Sequence, residues 1–102
     1  MEFKEEVNNG TCEAHVEGEL TIYHVNEFKE SLLKAIRKST CLKLDLSAVS
    51  EIDTSCMQLL MQAQDSCDEN EKEFEVTAIS PAVMEIMEIF GLETYFNSAS
   101  AA

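Results

Sequence analysis

The segment LKLDLSAVSEIDTSCMQLLMQAQ, residues 42–64, changes from a strand pattern to a helix pattern. Leucine alternates with Lys43 and Asp45 at its start, which is the two-residue period of a strand. We predict a strand over residues 41–46 and a bend that ends at Asp53. Apolar residues then recur at helical spacing, and they are Cys56, Leu59, Leu60, Ala63 and Cys67. The segment therefore predicts a strand, a short polar junction and a helix.

The chain before this segment predicts a hairpin and a first helix. The dipeptide Asn9-Gly10 favours a two-residue hairpin turn and separates two short strand patterns. The second pattern alternates up to Gly18, where we expect the strand to end. Either Thr21 or Asn26 is a suitable N-cap for the helix that follows. Its apolar face consists of Val25, Phe28, Leu32 and Ile36.

The chain after the segment predicts one more strand and one more helix. Residues 74–79 alternate as a strand does. Ser80 is then the expected N-cap, Pro81 the first helical residue and Gly91 the C-cap. The apolar face of this helix consists of Val83, Ile86, Met87 and Phe90. Three apolar residues beyond the helix should pack back onto the core, namely Leu92, Tyr95 and Phe96.

The predicted order is strand, strand, helix, strand, helix, strand, helix. Strands that alternate with helices imply right-handed crossovers and a mainly parallel sheet. We predict a small single α/β domain, with a mostly parallel or mixed sheet of four to five strands and helices packed on it. Residues 1–97 should form this domain. Residues 98–102 have nothing to bury, so we expect a frayed tail.

The charge of the chain narrows the classes of partner. The chain has seven basic and twenty acidic residues, which gives a formal net charge of −13. Such a field repels phosphate backbones and anionic lipid, so we expect no nucleic-acid binding and no direct membrane insertion. No apolar stretch approaches the length of a membrane span, and the start MEFKEEVNNG lacks the features of a signal peptide. These observations predict a cytoplasmic protein.

The cysteines and histidines predict no metal or cofactor. The four cysteines form no CxxC pair, so free buried thiols are expected in a cytoplasmic protein. His15 and His24 lack the ligand spacing of a zinc site. A redox or nucleophilic role for Cys56 is an alternative, because a thiol at a helix N-terminus can be activated. The carboxylates around Cys56 oppose that activation, so we favour an inert small residue.

Asp53, Thr54 and Ser55 lie at the predicted strand-to-helix junction. Sites in α/β sheets form at the carboxyl ends of strands, beside helix N-termini. Each of the three side chains can cap the helix by accepting a backbone N–H hydrogen bond. An exposed hydroxyl here is also a possible phosphate acceptor, because roughly −1.5 to −2 charges would lie at the positive end of the helix dipole. Physical argument alone leaves both interpretations open.

Three stretches of the chain resemble the STAS domain, the family of anti-sigma factor antagonists and related bacterial regulators. They are VEGEL at residues 16–20, the segment at residues 42–64, and SPAVMEIMEIFGLETYF at residues 80–96. The middle stretch is the most specific, because it resembles the family pattern DLS-x-V-x-x-(I/V)-D-(S/T)-(S/A/G)-G-(L/M). The resemblance covers nearly the whole chain and implies the α/β fold predicted above.

The resemblance also implies a role for the junction residues. In phosphorylated antagonists the acceptor is the Ser before the pattern's Gly, which corresponds to Ser55, with Asp53 and Thr54 beside it. Family members are not enzymes. They bind an anti-sigma factor that is also a serine kinase, or another signalling protein, and they dissociate when phosphorylated. The chain departs from the pattern at Cys56, which replaces the Gly, and at Thr21, where an acidic residue is usual.

An alternative is an interaction subunit that works without phosphorylation. EIDTSCMQLL, residues 51–60, also resembles EIDTAGLQLLL in STAS proteins of chemotaxis-type signalling, whose acceptor position lacks a hydroxyl. STAS subunits of lipid-transporting ABC complexes act constitutively as well, and a Thr of this motif contacts the ATPase. Thr54 is the matching position, so an ABC ATPase is a possible partner.

The partner-binding surface is expected to include the junction and the first turns of the following helix. Three methionines should remain outside the core and provide adaptable contacts, namely Met57, Met61 and Met84. The complete predicted surface consists of Asp53, Thr54, Ser55, Cys56, Met57, Gln58 and Met61.

Overall fold

The computed structural model describes residues 1–98 and confirms the predicted α/β fold. The strands are β1 (Glu2–Asn8), β2 (Thr11–Leu20), β3 (Cys41–Ile52), β4 (Glu73–Ile79) and β5 (Asn97–Ser98). The helices are α1 (Val25–Arg37), α2 (Thr54–Glu69) and α3 (Pro81–Ile89), and a single 3-10 turn (Ile22–His24) precedes α1. In this part of the chain, no helix combines the length and apolar character that crossing a membrane requires.

The strands form one mixed sheet in the order β1-β2-β3-β4-β5. The pair β1–β2 is antiparallel, and the remaining neighbours are parallel. Asn9 and Gly10 have φ angles of 51° and 83°, as a tight hairpin turn requires. The helices α1 and α2 connect the parallel strands, so the chain enters each helix at the carboxyl end of a strand. The predicted hairpin and the predicted parallel pairing of the later strands are confirmed.

Alternate residues of the central strands form the core. Leu42, Leu44 and Leu46 are at most 1% exposed, whereas the residues between them are half-buried. Burial of a leucine of this size contributes about 2 kcal/mol. The intervening positions carry polar side chains, among which His15 Nδ1 and Asp45 Oδ2 are paired at 3.0 Å. Hydrophobic burial therefore fixes the register of β2 and β3.

Two strands are longer than predicted. Gly18 does not end β2, because the strand continues to Leu20 through an irregular register between Gly18 and Glu19. Gly18 has a φ of +96°, which identifies it as a bulge position rather than a strand end. The predicted bend after residue 46 is also wrong, because β3 stays paired with β2 up to Ile52. The strand β3 consequently ends next to Asp53.

The start of α1 differs from the prediction. Neither Thr21 nor Asn26 provides a side-chain cap, because α1 begins at Val25 directly after the 3-10 turn. The carbonyl of Thr21 accepts the N–H of His24 at 2.8 Å. The Thr21 side chain is buried, and its Oγ1 has no hydrogen-bond partner within residues 1–98.

The start of α3 agrees with the prediction, and its C-cap is Phe90 rather than the predicted Gly91. Ser80 Oγ accepts the N–H of Val83 at 3.3 Å, Pro81 occupies the first turn, and Gly91 follows the helix with a φ of +65°. The prediction that Phe90 belongs to the buried apolar face of this helix is wrong, because Phe90 is 51% exposed. It is the C-cap residue of α3, so it lies beyond the part of the helix that packs on the sheet.

The C-terminal residues return to the sheet. Phe96 is buried with its ring centroid 6.3 Å from that of Phe74. Tyr95 is 36% exposed, and its hydroxyl donates to Asp65 Oδ1 at 2.5 Å. The frayed tail predicted over 98–102 is wrong at its first residue, because Asn97–Ser98 pair with β4. Residues 99–102 lie outside the described part of the chain.

Replacement of Gly18 by Ala should lower the free energy of unfolding by about 1 kcal/mol, because a Cβ disfavours positive φ. Its added Cβ would also lie 3.4 Å from the Met1 backbone. Urea denaturation measures this change. Gly91→Asn is the matched control, since this position has open space and a left-handed φ that Asn tolerates. Equal losses in the two variants would contradict the assigned bulge.

Candidate functional site

The Asp53 carboxylate connects two segments that are distant in sequence. Its Oδ1 accepts hydrogen bonds from Ser55 Oγ at 2.5 Å and from the Cys56 N–H at 3.3 Å. Its Oδ2 accepts the N–H of Ile22 at 2.8 Å. The Asp53 N–H in turn donates to the carbonyl of Leu20 at 3.0 Å. Asp53 therefore caps both α2 and the 3-10 turn before α1.

Asp53 is held in its ionised form. Partial burial raises the pKa of its carboxyl, but hydrogen bonds from the Ser55 hydroxyl and from the N–H groups of Ile22, Cys56 and Ser55 outweigh that effect. The net pKa lies below the ordinary value of 3.8. Hydrogen bonds to a carboxylate favour its charged form, so Asp53 accepts all of these bonds at neutral pH.

The two hydroxyl residues of the junction have different environments. Thr54 is the first residue of α2 and is exposed, whereas Ser55 is half-buried. The Ser55 hydroxyl proton points to Asp53, which leaves the lone pairs of Oγ for other contacts. The structure thus brings Asp53, Thr54 and Ser55 together at one end of the sheet, as the sequence indicated.

Two residues predicted for the partner surface have buried side chains. Cys56 is fully buried with its Sγ 3.6 Å from the Thr21 carbonyl, and Met57 is 1% exposed. The prediction that the Met57 side chain lies outside the core is therefore wrong. Position 57 is on the core face of α2, because it lies one turn before Leu60, which is fully buried. Cys56 offers a partner no exposed surface, and Met57 offers almost none.

The remaining predicted surface residues are accessible. Gln58 is exposed and Met61 is half-buried. Together with Thr54, with Met57 and with two residues after α3, Phe90 and Leu92, they line a groove of about 250 Å³. Met84 is 37% exposed on α3. The contribution of residues 90 and 92 was missed, since their apolar character alone predicted burial.

The thiol of Cys56 is not activated. Burial, and to a smaller extent the Asp53 charge, raises its pKa to about 11, although a hydrogen bond with Ser55 opposes this. His15 pairs with Asp45 rather than with a cysteine. A thiol with this pKa is protonated at neutral pH and is a poor nucleophile. The structure therefore does not support the redox or nucleophilic alternative.

Two exposed apolar residues next to the junction were not predicted as part of the site. Ile22 is 59% exposed and Tyr23 is 90% exposed, although both lie in the turn that Asp53 caps. The only signal in the sequence is their position before the apolar stripe of α1. Ile22 and Tyr23 lie near the site because Asp53 accepts the Ile22 N–H, and this bond joins residues that are 31 positions apart.

The segments that meet at this site are acidic. Residues 17–27 and 50–58 contain five carboxylates and no Lys or Arg. Even so, no group of three or more His, Cys, Asp or Glu side chains within residues 1–98 is arranged to hold a metal ion. The geometry consists of one exposed and one half-buried hydroxyl residue, a carboxylate that orients the second, and apolar side chains on both sides. Such a surface is suited to protein recognition.

The Asp53→Ala substitution should lower the free energy of unfolding by about 2 kcal/mol at neutral pH, because it removes the cap of two helical segments. Ser80→Ala is the matched control and should cost about 1 kcal/mol, since Ser80 caps only α3. Urea denaturation measures both values.

The Asp53 contribution should also depend on pH. Since the pKa is depressed in the folded state, the stabilisation is complete well above pH 3.8 and is lost as the pH falls through the folded pKa. The difference in free energy of unfolding between the wild type and Asp53→Ala should therefore become smaller at acidic pH. If this difference did not depend on pH, the assignment of Asp53 as an ionised capping residue would be wrong.

Cys56 should resist alkylation in the folded protein, because it is buried and protonated. Treatment with iodoacetamide at neutral pH, followed by peptide mass mapping, should modify the partly exposed Cys41 first. In denaturant all four cysteines should react. Preferential modification of Cys56 in the native protein would overturn this assignment.

Comparison with known proteins identifies relatives of this fold. A family model described as "Mlab, STAS domain" matches residues 5–97. No curated protein matches the chain by sequence. An anti-sigma factor antagonist from Mycobacterium paratuberculosis has a similar solved structure, with a TM-score of 0.82, 21% identity, and coverage of 95% of this chain and 83% of that chain.

Two further solved structures share the fold. The Bacillus cell fate determinant SpoIIAA in its phosphorylated form has a TM-score of 0.73 and 20% identity, and the match covers 96% of this chain and 91% of SpoIIAA. A serine-to-glutamate variant of RsbS from Moorella thermoacetica has a TM-score of 0.75 and 23% identity, with 97% and 86% coverage. At these identities the structures show a common fold. Since the family model matches residues 5–97, the chain belongs to the STAS domain family.

Proposed function

We propose that this protein is a non-enzymatic regulator that binds a partner protein through the surface around Ser55. In this proposal the partner is an anti-sigma factor with serine kinase activity, and phosphorylation of Ser55 releases it. The observation that carries the proposal is the Ser55 hydroxyl itself, which lies half-buried in the first turn of α2 and is oriented by Asp53 at 2.5 Å.

The phosphorylation step needs ATP and the partner kinase. The Ser55 Oγ–P bond forms as the bond between the γ-phosphorus of ATP and its bridging oxygen breaks. ADP leaves, and the hydroxyl proton is transferred to a base. The product carries a dianion in place of a neutral donor. Asp53 and the other carboxylates of the acidic segments add to the negative potential there.

Phosphorylation of Ser55 should release the partner because a phosphate needs more space and more water around it than a hydroxyl does. A partner that packs closely on the half-buried Ser55 has to exclude water from it. Burial of an unpaired charge is costly, and like charges across an interface cost several kcal/mol. The unmodified hydroxyl has no such requirement, because Asp53 already satisfies its donor.

The comparisons support this function. The similar structures include proteins named as anti-sigma factor antagonists, one of which, SpoIIAA, has been solved in both unphosphorylated and phosphorylated forms. The RsbS variant replaces a serine with glutamate, which imitates part of the charge of a phosphate. These relatives make a serine-centred switch the best-supported role for Ser55.

A second candidate is a constitutive interaction subunit, either of a lipid-transporting ABC complex or of a chemotaxis-linked complex. The matching family model is named for Mlab rather than for an antagonist. Thr54, the motif position that implies contact with an ATPase, is exposed. In this candidate Thr54 is the main contact, and the state of Ser55 does not control binding.

Incubation with a candidate kinase and ATP should add one phosphoryl group to the wild-type protein, as measured by intact mass. Ser55→Ala should remain unmodified. Thr54→Ala is the matched control, because it removes the neighbouring hydroxyl and leaves Ser55, so it should be phosphorylated. Affinity for the same partner should fall at least about 100-fold on modification, equivalent to roughly 2.7 kcal/mol.

Binding measurements on the variants separate the two candidate functions. Under the proposed function, Ser55→Glu weakens binding to the anti-sigma factor strongly and Thr54→Ala weakens it little. The ABC or chemotaxis candidate predicts the opposite, with loss of the ATPase or signalling partner in Thr54→Ala and normal binding in Ser55→Glu. Modification of Ser55 without any change in affinity would exclude the switch.

A further inference from the structure

We propose that Asp53 is a positioning residue that transmits the phosphorylation state of Ser55 to the 3-10 turn of Ile22–His24, and so changes the exposed surface of Ile22 and Tyr23. The inference rests on the proposed phosphorylation of Ser55 and adds a second, distant part of the surface to its control. The connection consists of one carboxylate that is shared between the two segments.

The two oxygens of Asp53 serve different segments. Oδ1 accepts from Ser55 Oγ at 2.5 Å and from the Cys56 N–H at 3.3 Å. Oδ2 accepts from the Ile22 N–H at 2.8 Å. Because both oxygens belong to one planar group, a rotation that moves Oδ1 away from Ser55 also moves Oδ2 away from Ile22. Rotation of the Asp53 carboxylate therefore changes its hydrogen bonds to both segments.

Phosphorylation of Ser55 changes both interactions of Oδ1. The hydroxyl proton that Asp53 accepts is lost when the Oγ–P bond forms. The phosphate dianion repels the carboxylate, and it also competes for the free N–H groups in the first turn of α2. Asp53 loses a donor and gains a like charge nearby, so it moves away and releases the N–H of Ile22.

The 3-10 turn has few other interactions that could hold its position. It contributes no buried side chain. Among the residues that the structure describes, the Thr21 Oγ1 before it lacks a hydrogen-bond partner. The His24 N–H bond to the Thr21 carbonyl at 2.8 Å lies within the turn. The residues before the turn are held by the Cys56 Sγ, 3.6 Å from the Thr21 carbonyl, and by the Asp53 N–H bond to the Leu20 carbonyl at 3.0 Å. The bond to Asp53 is the hydrogen bond that joins Ile22 itself to the start of α2.

The turn carries Tyr23, the most exposed aromatic residue of the described chain, so its movement would change the exposed surface. Tyr23 is 90% exposed and Ile22 is 59% exposed. Large aromatic and aliphatic side chains are common anchors in protein interfaces. Movement of this turn would displace both side chains, so a partner that uses them would lose contacts that the phosphate itself does not touch.

The experiment uses the full chain without any partner. Phosphoserine is incorporated at position 55 during translation, and amide hydrogen exchange of Ile22 is followed by NMR. Loss of the bond to Asp53 should increase that exchange rate about tenfold or more, because the Ile22 N–H then lacks a charged acceptor. Tyr23→Trp introduces the only Trp of the chain, and its emission should also change on phosphorylation.

A matched control separates the connection through Asp53 from a general effect of charge. Thr54→phosphoserine places the same dianion one residue away, where no hydrogen bond to Asp53 is made in the structure of residues 1–98, and it should leave Ile22 exchange unchanged. In Asp53→Ala, Ile22 should exchange rapidly whether Ser55 is modified or not. Circular dichroism checks that each protein is folded.

The outcomes are distinct from those of the proposed function. Unchanged Ile22 exchange in the phosphoserine-55 protein would overturn the connection, even if the partner is released on phosphorylation. An equal increase in the phosphoserine-54 protein would also overturn it, because the effect would then be independent of Asp53. Faster Ile22 exchange together with unaltered partner binding would support the connection and reject the proposed switch.

Discussion

The carboxylate of Asp53 is the interaction on which this end of the molecule depends. It accepts N–H groups from the start of α2 and from the turn before α1, and it orients the Ser55 hydroxyl. Two helical segments that follow different strands would otherwise have unpaired donors at the same sheet edge. A single ionised side chain thus determines both the local fold and the arrangement of the candidate site.

Most of the architecture follows from periodicity that is visible in the sequence. The alternating leucines of β3, the helical stripe of α2 and the Ser80-Pro81 start of α3 are local patterns, and the structure agrees with them. The errors concern long-range pairing. The strand β3 continues because β2 supplies partners up to Ile52, and no local pattern in β3 reveals that partner.

The same distinction applies to the site. Asp53 was predictable as a cap of α2, because capping depends on the next three residues. Its bond to Ile22 spans 31 residues and has no local signature. Met57 was assigned to the surface because methionine tolerates both environments, and only its position relative to Leu60 decides its burial. Recognition surfaces assembled from separate segments are therefore the least predictable part of a fold.

The hairpin strand β1 has a consequence for how the protein behaves at high concentration. Within residues 1–98 it is an outer strand of the sheet with no neighbouring strand on one side, and it exposes Glu2, Lys4 and Glu6. Charged side chains along an edge discourage the addition of strands from other molecules. The charged border of β1 therefore opposes growth of the sheet into larger assemblies at high protein concentration.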